Sequence, residues 1–141
     1  MPGSRITPQR ILDLMLDTVF VVDAHGRFVD VSASCERMLG YTPEELRGTY
    51  MIENVHPDDR SRTLQVAWKV IAGKPSTLFE NRWLRKDRRI VHLQWTAAWA
   101  EPEHLRVAVA RDITALRQAE AAVALESQAS QAPRVPGAPS G

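Results

Sequence analysis

The 141 residues carry 18 Lys and Arg against 17 Asp and Glu, a formal net charge of +1, and 44% of them are apolar. That length holds one domain with a core and is short for two. The near-neutral balance gives no electrostatic case for nucleic acid, the lone Cys35 excludes an intrachain disulfide and a cysteine-rich metal site, and no apolar run approaches the roughly 18 residues of a membrane span.

The opening MPGSRITPQR has no apolar stretch of its own and makes a poor signal peptide, so this part of the chain is expected to be cytoplasmic. Residues 1–6 are expected to be flexible. Thr7 and Pro8 are a capping hydroxyl and a proline at the first helical position, and they start a helix over residues 7–17. Ile11, Leu12, Met15 and Leu16 share one face of it and pack either on this chain's sheet or on a second copy.

Residues 18–23 have strand character, Ala24, His25 and Gly26 make a turn, and residues 27–31 complete a hairpin. Ser32 or Ser34 can cap a short helix carrying Cys35, Met38 and Leu39, which Gly40 ends. Thr42, Pro43 and Glu45 write a capping box, with Tyr41 and Leu46 at the staple positions. His56, Pro57, Asp58 and Asp59 open the longest internal helix, whose buried stripe is expected to be Leu64, Ala67, Trp68 and Ile71.

Residues 77–85 read as a strand with Leu78, Glu80, Arg82 and Leu84 on one side and Phe79, Asn81 and Trp83 on the other. Lys86, Asp87, Arg88 and Arg89 turn the chain. Residues 90–114 carry the strongest pattern. Val91, Leu93, Trp95, Ala97 and Trp99 alternate with His92, Gln94, Thr96 and Ala98, and Leu105, Val107 and Val109 resume the alternation after a turn at Glu101, Pro102 and Glu103. Asp112 or Thr114 can cap the helix that follows. Leu116, Ala119 and Val123 are spaced by three and four, the seam of a short coiled coil over residues 115–126. Residues 127–141 turn to Pro, Gly, Ala and Ser and read as a linker or tail.

The stretches VFVVDAHGRFVDVSASCERMLGYTPEELRG, VHPDDR, WLRKDRRIVHLQWTAAW and VARDITALRQAE, in that order, resemble the PAS sensor domain family. Asp112-Ile113-Thr114 is the most specific part. The resemblance implies an α+β fold: a five-stranded antiparallel sheet over residues 18–114 with short helices on one face, often around a small ligand, between flanking N- and C-terminal helices. In the family the outgoing helix commonly joins a histidine kinase of a two-component system, a cyclic-di-GMP cyclase or phosphodiesterase, or another PAS domain. Two positions depart from the family. Ser32 stands where Asn is frequent and is expected to cap all the same. Arg88 stands where Gly is frequent and is expected to exclude a turn that strictly needs glycine.

His25, His56, His92 and His104 form no metal-ligand spacing. Haem-binding members of the resembled family place a ligating histidine on the long internal helix, and residues 58–72 contain none, so haem is not expected; His92 and Met51 are the remaining conceivable ligands. Photoreactive flavin members carry an Asn-Cys-Arg motif where this chain reads LRGTYMIENVH, and Cys35 sits on another helix, so a cysteinyl adduct is not expected. Cys35 reads as a small buried apolar residue. Non-covalent flavin stays open, with Trp68, Trp83, Trp95, Trp99 and Asn81 as candidate pocket residues; core packing is the competing reading of the tryptophans. No acid–base pair, activated nucleophile or phosphate loop supports an enzyme.

The resulting expectation is a sensory input domain that detects a small ligand, redox state or partner. It would signal through Asp112, Ile113, Thr114, Leu116 and Val123 to an output domain in a longer parent protein. A homodimer is expected through Ile11, Leu12, Met15 and Leu16, the outer sheet face and the outgoing helix. The alternatives are a ligand-free homodimerisation module and a non-covalent flavin redox sensor.

Overall fold

The computed structural model describes residues 6–131. Its elements run α1 (Pro8–Leu14), β1 (Thr18–Asp23), β2 (Phe28–Val31), α2 (Cys35–Leu39), α3 (Pro43–Leu46), α4 (Arg60–Ile71), β3 (Ser76–Leu84), β4 (Ile90–Ala100), β5 (Leu105–Asp112) and α5 (Thr114–Gln131). Two 3-10 turns, Met51–Asn54 and Pro57–Asp59, precede α4. The five strands form one antiparallel sheet in the order β2-β1-β5-β4-β3. Each neighbouring pair except β1 and β5 is joined by a hairpin. From the β2 edge the chain crosses to the β3 edge through α2, α3 and α4, which places these helices over one sheet face.

That face holds the core. Phe20, Phe28, Trp83 and Trp95 form its centre, with ring centroids 5.2 to 6.3 Å apart. Cys35, Met38, Leu39, Leu46 and Val55 pack around them. The inward row of β5 is Arg106, Ala108 and Ala110, and Val107 is exposed. The apolar row Leu105, Val107 and Val109 therefore lies on the outer face, against the bare alternation of the sequence. The register explains it: Ala110 pairs with Trp95, and Ala108 pairs with Phe20 and Ala97. Small residues take the inward positions beside rings that already fill the space.

Helix α4 is also rotated from its expected stripe. Thr63 and Val70 are buried, whereas Leu64 is 45% and Trp68 69% exposed. Polar bonds set the rotation. Asp59 accepts from Arg82 Nη2 at 2.7 Å and from the Arg82 amide at 2.8 Å. One turn on, Thr63 Oγ1 donates to the Asp59 carbonyl at 2.7 Å and accepts from Asn81 Nδ2 at 3.1 Å. Both anchors lie on β3, so the helix face carrying positions 59 and 63 must face the sheet.

The Thr42–Glu45 capping box forms with both reciprocal bonds. Gly40 ends α2 at φ 83°, and an added Cβ would sit 3.2 Å from Lys86 Cβ. Neither serine caps α2. Ser32 Oγ accepts from the Val19 amide at 2.8 Å, and Ser34 Oγ meets Thr18 Oγ1 at 2.7 Å and the Asp17 carbonyl at 3.0 Å. Both hydroxyls satisfy the start of β1 instead, a cross-chain demand that local sequence does not reveal. Arg88 adopts φ 73°, so the turn does take the left-handed conformation, with arginine in it. Helix α5 continues to Gln131, past the expected boundary at 126, because Gln and Ala are adequate helix formers. Residues 1–5 of the expected N-terminal segment 1–6 and residues 132–141 of the tail lie outside the described residues.

Candidate functional site

Two features meet on β3, one on each side of the strand. On the inner side a buried polar thread joins three elements. The Trp95 indole N–H donates to Asn81 Oδ1 at 2.7 Å, and Asn81 Nδ2 donates to Thr63 Oγ1. An asparagine buried in this way is held by both ends of its amide, which fixes its orientation and the distance from α4 to β4. On the outer side Glu80 faces α5. Arg117 Nε donates to Glu80 Oε1 at 2.9 Å, and Arg117 Nη2 makes a second bond to Glu80 Oε2. The Glu80 carbonyl in turn accepts from Arg62 Nη1 of α4 at 2.7 Å. Glu80, Asn81 and Arg82 thus bind α4 and α5 from adjacent positions.

The join between sheet and outgoing helix is equally specific. Thr114 Oγ1 accepts from the His92 amide at 2.9 Å, the Ile113 amide donates to the His92 carbonyl at 2.9 Å, and Asp112 Oδ1 accepts from the Thr114 amide at 2.9 Å. Asp112 and Thr114 divide the work that the sequence left open between them: the carboxylate holds the helix start, while the hydroxyl ties it to β4. Ile113 is buried. Leu116 and Val123 are exposed.

The five candidate pocket residues do not come together. Asn81, Trp83 and Trp95 line a small, partly open cavity of about 40 Å³ with Met51, Thr63 and Arg106. Trp68 lies outside it, on a groove of about 120 Å³ between α4 and the turn at residues 24–26. Trp99 is at the far end of β4, where its N–H donates to Glu101 Oε1 at 2.7 Å. A flat cofactor needs a pocket of roughly 300 Å³ or more. Trp83 and Trp95 occupy that space themselves, so the residues present do not fit a flavin. Cys35 has no exposed surface, donates to the Tyr41 carbonyl at 3.3 Å, and has its thiol pKa pushed up to about 11, chiefly by burial. Among the described residues no group of three or more His, Cys, Asp or Glu could hold a metal ion.

Sequence reasoning missed two functional candidates. Arg106 sits on the inward row of β5, where charge is unexpected. Glu80 looked like an ordinary outward strand residue, and only the position of α5 gives it a partner. The expected dimer face is placed but uncovered: Ile11 and Met15 are exposed and Leu16 is 83% exposed, while the Leu12 side chain lies outside the described residues.

An antiparallel five-stranded sheet with its helices on one face, a packed aromatic core and a helix leaving from the sheet defines an α+β domain of sensory type. The family model described as PAS fold matches residues 28–108, more than half of the sequence, and the chain belongs to that family of sensory domains. The White collar 2 protein of Neurospora crassa is 35% identical over 81 residues, which cover 57% of this chain and 15% of that protein. Among solved structures, the PAS domain of a Colwellia psychrerythraea protein matches with TM-score 0.67 at 23% identity, over 74% of this chain and 92% of that one. A domain of a sensory box sensor histidine kinase/response regulator from Geobacter sulfurreducens matches with TM-score 0.64 at 20% identity, over 72% and 88%. At these identities the two structures speak for the fold. Among the described residues no helix is long and apolar enough to cross a membrane.

Proposed function

We propose that this chain is the input module of a signalling protein: a small ligand or partner alters the packing of α4 on β3, and the change reaches an output domain through α5. One observation carries the reading. Residues 80–82 of β3 bind α4 through Arg62 and Thr63 and the turn before it through Asp59, and bind α5 through the Glu80–Arg117 pair. A shift of α4 cannot leave these bonds unchanged, and two arrangements of α5 favoured differently by the input are what coupling requires. Asp112, Ile113 and Thr114 act as the hinge, with Leu116 and Val123 presenting the signal to whatever follows. A histidine kinase output is favoured by the Geobacter sulfurreducens likeness, whose parent is a sensor histidine kinase; a cyclic-di-GMP enzyme is the alternative output.

Homodimerisation fits the same scheme. Ile11 on α1, Met15 and Leu16 just past its end at Leu14, and Leu116 and Val123 on α5 are exposed apolar residues beside the sheet, although the sequence placed Met15 and Leu16 within the helix. A second copy would cover them, and parallel pairing of α5 would turn a rotation in each protomer into one output. Sedimentation at micromolar concentration should give twice the monomer mass, and a concentration-independent monomer contradicts this part.

The signalling reading is tested by Asn81→Ala. Cutting the thread on the cavity wall should speed amide hydrogen exchange at residues 114–120, on the opposite face of the sheet from the Asn81 side chain. Exchange there equal to wild type, in a variant whose core is otherwise folded, overturns the proposal.

A further inference from the structure

Among the described residues two charged side chains are buried, Asp59 and Arg106. Asp59 has Arg82. Arg106 is 5% exposed and has no carboxylate in ion-pair reach among the described residues. Its one hydrogen bond runs from Nη2 to Met51 Sδ at 3.6 Å. A thioether is a weak acceptor, and a guanidinium does not shed its proton to escape burial. Asp23 attracts it from a distance, but the Asp23 oxygens are already bonded to the His25 and Arg27 amides at 2.9 and 3.0 Å and to Arg27 Nε at 3.2 Å. An apolar residue would serve the fold better at this inward position, between Ala108 and the end of the strand. Its Nε and Nη1 are not fully enclosed and have no protein acceptor, so water or a bound anion must meet them.

Two spaces meet at this side chain. The small cavity and the groove share Met51, Thr63, Ala67 and Arg106 as lining residues. Trp83, on the cavity wall, has an indole N–H with no acceptor. Two donors without an oxygen acceptor around one cavity ask for a ligand that accepts, and the guanidinium asks for negative charge. The groove offers apolar cover from Tyr50, Ile52, Leu64 and Trp68. This gives Leu64 and Trp68 a reason to stand on the open side of α4. Arg106 is the sole Lys or Arg lining either space, which suits a single negative charge better than a dianion such as phosphate. Both volumes are below the roughly 300 Å³ at which drug-sized pockets begin, so the ligand is small.

We propose that Arg106 anchors a small organic monocarboxylate, with the carboxylate at its guanidinium and an apolar or aromatic body in the groove beside Leu64 and Trp68. The inference rests on the sensory reading above and names the class of signal. An anion in place of the Met51 sulfur would draw Arg106 toward α4, the helix whose packing the proposed signal alters.

The test uses the whole chain with labelled tryptophan, whose four indole N–H groups report separately. Benzoate and phenylacetate are titrated to millimolar concentration against benzamide and phenylacetamide, their neutral matches. The acids should give saturable shifts at Trp83 and Trp68, and the amides should not. Arg106→Met should weaken the acids at least tenfold (~1.4 kcal/mol) and Arg106→Lys should restore part of the loss. Trp68→Ala, at an exposed position, should weaken them without disturbing the other three indoles, which covers the case of a misfolded Arg106 variant. Equal binding of amides and acids, undiminished binding to Arg106→Met, or no shift with either acid overturns the proposal. If no acid binds yet Asn81→Ala still changes exchange in α5, the ligand class is wrong and the sensory reading stands. If acids bind and α5 does not respond, the site stands and the sensory reading falls.

Discussion

Glu80 and Arg117 face one another across the gap between the edge strand β3 and the outgoing helix, with Arg117 Nε 2.9 Å from Glu80 Oε1. Arg117 also reaches Glu120 Oε2 at 2.6 Å, so the first turns of α5 are tied to the sheet and to themselves through one guanidinium. The pair holds Glu80 below the ordinary carboxylate range, chiefly through the hydrogen bonds from Arg117. Removing it should loosen the helix without unfolding the core. Arg117→Ala is expected to raise hydrogen exchange at residues 115–120, and the exchanged pair Glu80→Arg with Arg117→Glu to bring it part of the way back. Protection unchanged in Arg117→Ala would mean that α5 is held by the Thr114 hinge alone.

Asp59 predicts a pH dependence. Hydrogen bonds from Arg82 lower its pKa from 3.8 to about 2, against the opposing effect of burial. A carboxyl whose folded pKa is depressed stabilises the fold above its unfolded value, and the contribution is lost as pH falls toward the folded value. Asp59→Asn should therefore cost about 2 kcal/mol at neutral pH in urea unfolding. The gap between wild type and variant should shrink below the unfolded value of 3.8 and close near the folded value of about 2. A gap that stays constant through that window contradicts the assignment.

Arg88 holds φ 73° in the turn between β3 and β4, a conformation that costs a non-glycine residue about 1–2 kcal/mol. Glycine relieves that strain and gives back part of the gain through a freer unfolded chain. Arg88→Gly should stabilise the domain by about 1 kcal/mol, read as a higher urea midpoint at unchanged slope. A lower midpoint would show that the arginine side chain stabilises the turn by more than the strain.

Cys35 should be chemically inert while the domain is folded. Its thiol is enclosed and its pKa stands near 11. Iodoacetamide at about pH 8, where an ordinary thiol reacts readily, should leave native protein unlabelled over a period that labels it fully in urea. Rapid labelling of the native state would mean that α2 opens locally and that Cys35 is accessible to redox chemistry.

Wherever a local rule decided the outcome, the fold was legible. The Thr42–Glu45 capping box, the Gly40 stop, the period-two row of β4 and that of β3 from Phe79 onward appear as the residues specify, while Leu78 sits at φ 57° in an irregularity of the β3 register. The Arg88 turn and the end of α5 were misread locally, whereas the readings of α4, β5 and the two serines went astray because a partner distant in sequence decided the matter. Leu64 and Trp68 have good helical spacing for a buried stripe, but Asp59 and Thr63 bind β3 and turn that stripe outward. Leu105, Val107 and Val109 alternate correctly and face outward, because Phe20 and Trp95 leave only alanine-sized space on the inner side. Ser32 and Ser34 have cap chemistry and spend it on β1. The candidate site was legible in Asn81, Trp83 and Trp95 and hidden in Arg106, since nothing local marks an arginine that must point inward.

The most direct measurement of the central claim is a coupling cycle on the α5 amides. The backbone resonances of Ala115, Leu116 and Arg117 are compared in wild type, Asn81→Ala, Arg117→Ala and the double variant. If input packing reaches α5 through β3, Asn81→Ala shifts these resonances in the wild-type background, and most of that shift disappears once Arg117 is gone. Resonances that ignore Asn81→Ala, or that move by the same amount with and without Arg117, would contradict the account.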